Sequence, residues 1–158
     1  MYFQKDVIIM GYARSKKTDE ELRQLIQKSA GTKMDMTKKN PEQKRIIEMF
    51  LSRCFYTRGD SYGSEPAWKE VHRKLTDLEQ QVVSEVKQPA RNRIFYFALP
   101  PTAYEEACGG VRAQAMSSKG WNRVVIEKPF GKDLKSSDQL AAIVKSHFAE
   151  EQVSLSLR

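Results

Sequence analysis

The chain has 158 residues, which fits one domain of ordinary size, and 40% of them are hydrophobic and 30% charged. No apolar run is long enough to span a membrane, and the first residues do not form a signal-peptide pattern. The formal charge is +7, but acids alternate with bases along most of the chain. The charge therefore favours an anionic small-molecule ligand at least as much as a nucleic acid, and we expect no nucleic-acid partner.

The two cysteines, Cys54 and Cys108, lie in apolar stretches and lack the spacing of metal ligands. Cysteines of this kind are typically small buried hydrophobic residues in a reducing compartment. We therefore expect a cytoplasmic protein without a metal site.

The first third of the chain predicts one strand and two helices. Val7 to Met10 is a compact apolar run that suits a buried strand ending at Gly11. Thr18-x-x-Glu21 is a capping box and predicts a helix that continues to Lys28. Asn40-Pro41 begins a second helix, because proline suits the first helical position.

The middle of the chain predicts a short strand from Arg53 to Arg58, followed by a glycine-containing turn at residues 59–63. Ser64 and Pro66 then open a longer helix. Its apolar residues recur at spacings of three and four, which is typical of a helix packed on a core: Trp68, Val71, Leu75, Leu78 and Val82.

Ile94 to Leu99 is an unbroken apolar and aromatic run, which predicts the best buried strand of the sequence. After Pro100-Pro101, Thr102-x-x-Glu105 predicts the capped start of a helix with Tyr104 in its first turn. Gly109-Gly110 weakens that helix for no reason visible in the sequence.

Val124 to Ile126 predicts a fully buried parallel strand, which Pro129 and Gly131 stop. The last helix runs from about Ser136, as its cap, to Phe148. Alternating strands and helices predict an α/β fold with a parallel sheet and helices on both faces.

Glu127 and Lys128 follow the strand at its carboxyl end, where open α/β sheets bind ligands. Pro129 favours an extended conformation at Lys128, so the pair makes a fixed polar platform. The alternative is an ordinary strand-to-helix connection with a solvated lysine.

Three segments in this order resemble the glucose-6-phosphate dehydrogenase family. They are I-I-M-G-Y-A-R-S at Ile8 to Ser15, I-F-Y-F-A-L-P-P-T-A-Y from Ile94, and G-W-N-R-V-V-I-E-K-P-F-G-K-D-L-K-S-S-D ending at Asp138. The resemblance extends from Val7 to Gln152. It implies an NADP-dependent oxidoreductase that converts glucose 6-phosphate to 6-phosphogluconolactone, the first oxidative step of the pentose phosphate pathway.

The resemblance also implies roles for three residues. Arg14 follows the strand whose end lies beside the adenine ribose, where an arginine accommodates the 2′-phosphate of NADP and an acid would favour NAD. Tyr104 would contact the dinucleotide, although a packed aromatic at a helix start is an equally good interpretation. Lys128 would contact both the cofactor and the sugar.

In this family a glycine-rich strand, turn and helix precede the segments seen here, and a substrate domain with a general-base histidine follows them. We therefore expect residues 1–153 to form an incomplete Rossmann-like, doubly wound sheet and residues 154–158 a divergent tail. His72 and His147 show no partner pattern for a base, so we expect no complete catalytic set and no activity from this chain alone. A homo-oligomer is expected only for the full-length enzyme.

The missing strand would be the central one, so its two neighbours would lose their shared partner and the isolated chain would be marginally stable. Two other interpretations stay open. The chain could be a non-catalytic fragment or pseudoenzyme that acts only by binding a full-length partner chain. It could also be a basic nucleic-acid-binding module, for which only the net charge argues.

Overall fold

The computed structural model of the chain describes residues 7–83, 91–127 and 134–156. The strands are β1 Ile9–Ala13, β2 Cys54–Arg58, β3 Arg93–Phe97, β4 Asn122–Glu127 and β5 Val153–Ser156. The helices are α1 Asp19–Ser29, α2 Pro41–Ser52, α3 Glu65–Val83, α4 Tyr104–Gly110 and α5 Leu134–His147. Short 3₁₀ turns occur at Gly31–Lys33, Met36–Lys38, Pro101–Ala103 and Glu150–Gln152, and a π-helical turn at Val111–Ala115.

All strand pairing among these residues is parallel, as the α/β pattern predicts. The strands form two sheets, one with the order β1-β2 and the other with the order β3-β4-β5. No hydrogen-bonded pairing joins β1 to β3 within the described ranges. Two small parallel sheets agree with the expected incomplete doubly wound α/β fold.

Strand β1 extends beyond the glycine that was expected to end it. Gly11 lies in the middle of β1 and is in register with Tyr56 of β2. A Cβ on Gly11 would lie 3.3 Å from the Tyr56 ring and 3.4 Å from Leu22 of α1. Gly11 is therefore suited to a close approach between strand and helix, and it does not terminate the strand.

Helices α1 and α3 cover opposite faces of the first sheet. Gly11 faces Leu22 of α1, whereas the ring of the next residue, Tyr12, stacks on Trp68 of α3 with centroids 4.2 Å apart. Successive residues of a strand point to opposite faces, so the two helices lie on the two sides of β1. The prediction of helices on both faces is confirmed for this sheet.

The main core lies between α3, α4, α5 and one face of the second sheet. Its buried members are Trp68, Val71, Phe95, Phe97, Tyr104, Ala107, Cys108, Val111, Ala115, Val124, Ile126, Leu140, Val144 and Phe148. The prediction that β3 is the best buried strand is wrong. Phe95 and Phe97 point into the core, but Ile94 is 61% and Tyr96 50% exposed on the other face. The described helices cover only one face of β3.

The start of α4 differs from the predicted capping box. Thr102 lies inside the 3₁₀ turn that Pro101 begins, and the residue before α4 is Ala103, which offers no side-chain cap. The 3₁₀ turn runs directly into α4 and provides the backbone bond from Ala103 N–H to the Pro100 carbonyl at 2.9 Å. A side-chain cap is therefore replaced by the preceding turn.

The structure explains one of the two adjacent glycines in α4. A Cβ on Gly110 would overlap the Trp68 indole, so only glycine lets α3 approach this closely. A Cβ on Gly109 would meet only the edge of His147, at 3.7 Å. The chain widens into the π-helical turn directly after Gly110.

The end of the chain differs from prediction in two places. Helix α5 begins at Leu134, so Ser136 lies in its first turn and not at the cap position. Strand β5, which pairs with β4, was not predicted. Its sequence, V-S-L-S, alternates apolar and polar residues as an edge strand does, and this was the overlooked signal. Among the described helices, none is both long and apolar enough to cross a membrane.

Candidate cofactor-binding site

Two arginines lie on neighbouring strands where β1 and β2 end. Arg58 is the last residue of β2 and is in register with Ala13, so it lies beside Arg14, the residue that follows β1. The Arg58 Nε–H donates to the Arg14 carbonyl oxygen at 3.3 Å. Both arginines are exposed to solvent. We call this pair, Arg14 and Arg58, the basic edge.

The turn at residues 59–63 contacts both members of the basic edge. The Asp60 carboxylate pairs with Arg58 Nη2 at 2.9 Å. The Tyr62 ring lies under Arg14, with 5.2 Å between the guanidinium carbon and the ring centroid. One short segment thus orients the two guanidinium groups, by an ion pair and by a cation–π contact.

The same turn is held by two aromatic residues beneath it. The Tyr12 hydroxyl donates to the Ser61 carbonyl at 2.8 Å, and the Trp68 Nε1–H donates to the Tyr62 carbonyl at 2.8 Å. Burial, together with the negative charges of Asp60 and Glu106, raises the pKa of Tyr12 to about 12. The Tyr12 hydroxyl therefore keeps its proton at neutral pH and remains a donor to the turn.

Tyr56 fixes the backbone on the β1 side of the basic edge. Its hydroxyl donates to the Ser15 carbonyl at 2.6 Å, and its own backbone N–H donates to Asp19 of α1 at 2.7 Å. The segment that carries Arg14 is thus tied to β2, and β2 is tied to α1. A preorganised cation of this kind binds an anion with less loss of conformational entropy.

Tyr104, the second predicted cofactor ligand, is 2% exposed. Its ring packs edge to face on Phe97 at 5.8 Å, and its hydroxyl donates to the Phe97 carbonyl at 3.3 Å. Burial, with contributions from Cys108 and Glu127, raises the pKa of Tyr104 to about 12. These contacts match the alternative of a packed aromatic at a helix start, and a contact between Tyr104 and the dinucleotide stays a prediction.

The third predicted site residue, Lys128, lies outside the described residues, as do Pro129 and Gly131. Glu127 is the last residue of β4, as the sequence predicted. Its charge contributes to the raised pKa of Tyr104, so the carboxyl end of β4 lies near the start of α4.

Each of the two histidines contacts a charged side chain of another element. His72 Nδ1 is 3.1 Å from Nη1 of the buried Arg93, and burial with that positive charge lowers the pKa of His72. His147 Nε2 is 3.0 Å from a carboxylate oxygen of Glu105, in a contact between α5 and α4. Both side chains contribute to packing between elements.

Cys54 and Cys108 are both buried, as expected, and burial raises the pKa of each thiol, that of Cys108 to about 12. The described part of the chain contains no group of three or more His, Cys, Asp or Glu residues that could hold a metal ion.

Sequence reasoning identified Arg14 but missed Arg58, Asp60 and Tyr62. The signal was present as R-G-D-S-Y directly after a predicted strand. Because parallel strands end at the same edge of a sheet, a cation at the end of each of two neighbouring strands predicts a pair. The chemistry of this pair suits a phosphate group, since guanidinium groups donate parallel hydrogen bonds to its oxygens.

Comparison with known proteins gives consistent matches. Residues 1–154 match the family described as "Glucose-6-phosphate dehydrogenase, NAD binding domain". Chloroplastic glucose-6-phosphate 1-dehydrogenase 1 of Arabidopsis thaliana is 36% identical over 149 residues, which is 94% of this chain and 24% of that protein. Cytoplasmic glucose-6-phosphate 1-dehydrogenase 6 of the same plant is 36% identical over 151 residues, which is 94% of this chain and 28% of that protein.

A solved structure, "Glucose-6-phosphate dehydrogenase in complex with its substrate glucose-6-phosphate", superposes with a TM-score of 0.73 at 29% identity. The match covers 95% of this chain and 29% of the solved chain. The chain thus spans about a quarter of the length of the curated relatives it matches. It belongs to the glucose-6-phosphate dehydrogenase family, as an NAD-binding domain.

Proposed function

We propose that this chain binds the adenosine 2′-phosphate end of NADP at its basic edge, as part of a glucose-6-phosphate dehydrogenase. The observation that carries the proposal is the position of Arg14, exposed at the carboxyl end of β1 and oriented by the Tyr62 ring. A 2′-phosphate is a dianion that only NADP carries, and a guanidinium binds it with charge-assisted hydrogen bonds. NAD offers a hydroxyl group at this position, for which an acid would be the better partner.

In the whole enzyme, NADP would accept the hydride as glucose 6-phosphate is oxidised to 6-phosphogluconolactone. This chain would supply the nucleotide side of that reaction, with Lys128 contacting the sugar and the cofactor and Tyr104 flanking the cofactor. We expect the chain alone to form no NADPH, because the general-base histidine of the family belongs to its substrate domain and not to the NAD binding domain that this chain matches. A base is needed, since the hydroxyl proton leaves as the hydride does.

A cytoplasmic location in the pentose phosphate pathway, with a homo-oligomer formed only by the full-length enzyme, is part of the same proposal. Named relatives include both cytoplasmic and chloroplastic enzymes, so fractionation of the tagged protein is the test of location.

The test of cofactor choice is calorimetric titration of the chain with NADP and with NAD at one salt concentration. We expect tighter binding of NADP, and we expect Arg14→Ala to weaken NADP binding by about 10- to 100-fold while NAD binding changes little. Arg123→Ala is the matched control, because Arg123 is an exposed arginine near the amino end of β4. Equal losses for both cofactors in Arg14→Ala, or the same loss in Arg123→Ala, would contradict the proposal.

The catalytic part of the proposal needs the rest of the enzyme. In a hybrid in which this chain replaces the matching segment of a full-length relative, Lys128→Ala is expected to lower kcat/KM by about 100-fold or more, because a misplaced substrate reacts slowly. A circular dichroism spectrum equal to that of the parent hybrid excludes unfolding as the cause. Kinetics close to those of the parent hybrid would instead assign Lys128 to a solvated turn.

A second function is favoured by the uncovered parts of the second sheet. Ile94 and Tyr96 are exposed on one face of β3, and β3 is not paired with β1. A chain of this kind could act by binding a full-length partner chain that supplies the missing contacts. Co-purification with a full-length relative, together with new amide protection in β3, would support this function. Saturable NADP binding by the chain alone supports the first.

A further inference from the structure

We propose that Arg58 is a second specificity residue for NADP, and that it binds the 2′-phosphate together with Arg14. This inference rests on the proposed function of the basic edge and extends it to a residue on a different strand. Arg58 and Arg14 are 44 residues apart in sequence, but the Arg58 Nε–H reaches the Arg14 carbonyl.

The side chain of Arg58 is placed for a shared ligand. Half of it, 50%, is exposed, and it projects from the last residue of β2 at the edge where Arg14 leaves β1. Its Nε donates to Arg14 and its Nη2 pairs with Asp60. Its Nη1 has no hydrogen bond to another residue within the described ranges, so this end of the guanidinium retains donors for an incoming phosphate oxygen.

The turn at residues 59–63 contacts both arginines of the basic edge and is itself held by hydrogen bonds. Asp60 holds Arg58 and Tyr62 holds Arg14, while Tyr12 and Trp68 donate to the backbone of the turn from below. Both guanidinium groups therefore contact the same turn. Two such cations on adjacent strands can donate to different oxygens of one phosphate dianion, which a single arginine cannot do to the same extent.

Asp60 allows an alternative role for Arg58, namely neutralisation of the Asp60 carboxylate. The experiment must distinguish this role from direct binding of the phosphate. The Asp60 side chain is 85% exposed and lies beside the proposed phosphate site. If Arg58 only neutralised Asp60, removal of Arg58 would weaken phosphate binding through repulsion by the uncovered carboxylate. Removal of both groups would then restore binding. If Arg58 is itself a phosphate ligand, the double variant stays weak.

The experiment compares adenosine 2′,5′-bisphosphate with adenosine 5′-monophosphate, which differ only in the 2′-phosphate. Both are titrated at one salt concentration into the full chain and into four variants, Arg14→Ala, Arg58→Ala, Arg58→Ala/Asp60→Asn and Arg123→Ala. We expect the chain to prefer the bisphosphate, and each single change at the basic edge to reduce that preference by about tenfold. The double variant should remain reduced, and the β4 control should match the unmodified chain.

The outcomes separate this inference from the proposed function. Loss of the preference in Arg14→Ala alone would keep the proposed function and overturn the role of Arg58. Recovery in the double variant would likewise overturn it, because Arg58 would then act only by neutralising Asp60. Absence of any preference in the unmodified chain, or of any binding, would contradict both proposals. A shift of the Arg58 Nε–H resonance with bisphosphate, without one for the monophosphate, is the direct signature of the predicted contact.

Discussion

Trp68 occupies the space that a side chain at Gly110 would need, which predicts that Gly110→Ala destabilises the chain. A Cβ at this position overlaps Cδ1 and Nε1 of the indole and lies 3.1 Å from Cε2. These atoms belong to one rigid ring that is only 5% exposed. The ring must therefore move as a whole, and the core around it is close-packed.

The size of the effect follows from the contacts of the indole. Overpacking of a core costs about 1–3 kcal/mol. A displaced Trp68 also weakens its hydrogen bond to the Tyr62 carbonyl, worth about 1 kcal/mol, and its stacking on Tyr12, worth about 0.5–1.5 kcal/mol. Alanine returns about 1 kcal/mol relative to glycine in a helix. The expected net change is a loss of about 2 kcal/mol in the free energy of unfolding.

Gly109→Ala is the matched control, because it makes the same substitution one residue earlier in α4. Its Cβ would meet only His147 Cε1, at the ordinary contact distance of 3.7 Å. This variant should therefore gain about 0.5–1 kcal/mol from the lower flexibility of its unfolded state.

Urea unfolding followed by tryptophan fluorescence measures both variants. Trimethylamine N-oxide at one fixed concentration in every sample raises the starting stability of the chain. The two midpoints should move in opposite directions with similar m-values. Midpoints that move together, or a Gly110→Ala variant as stable as Gly109→Ala, would refute the role assigned to Trp68. Because Trp68 supports the turn at residues 59–63, Gly110→Ala should also weaken binding of adenosine 2′,5′-bisphosphate.

Two further predictions concern the buried polar contacts of α3. Burial and the charge of Arg93 lower the pKa of His72, so the unfolded chain binds the proton more readily. Stability should therefore fall as pH drops below the ordinary histidine pKa. In His72→Asn, the melting temperature should change less between pH 7 and about pH 5 than it does in the unmodified chain. The same pH dependence in both proteins would contradict this. Arg93 is 5% exposed and pairs with Glu79 at 2.8 and 3.0 Å, so Glu79→Ala should cost about 3–5 kcal/mol in urea unfolding. Arg93→Met/Glu79→Leu should cost far less, because it leaves no unpaired buried charge, and equal losses in the two variants would count against the ion pair.

Local signals in the sequence were sufficient for most of the elements. Thr18 and Asn40 both cap their helices by reciprocal bonds with the residue three positions on, because capping depends only on neighbours in sequence. The run from Val124 to Ile126 forms a strand as predicted, but it is not fully buried: Val124 and Ile126 are each 1% exposed, whereas Val125 is only partly buried. Parallel pairing followed from the alternation of strands and helices.

Features that depend on distant contacts could not be predicted in the same way. An apolar run such as Ile94 to Phe97 does not reveal which of its faces another element covers, and here only one face is covered. Gly110 reads as a weak point in a helix until Trp68, 42 positions earlier, is placed against it. The pairing of Arg58 with Arg14 likewise depends on the register between β1 and β2. Each strand alone shows only its own cation, so the pair follows only once the two strands are placed side by side.

The central claim is that the 2′-phosphate of NADP binds at the carboxyl ends of β1 and β2. Its most direct test is a pair of amide chemical-shift maps of the chain, one with NADP and one with NAD, under the same conditions. The differences between the two maps report the surroundings of the 2′-phosphate alone. We predict the largest differences at residues 13–16 and 58–63. Differences centred on residues 121–123, at the amino end of β4, or an even scatter over the chain, would contradict the claim.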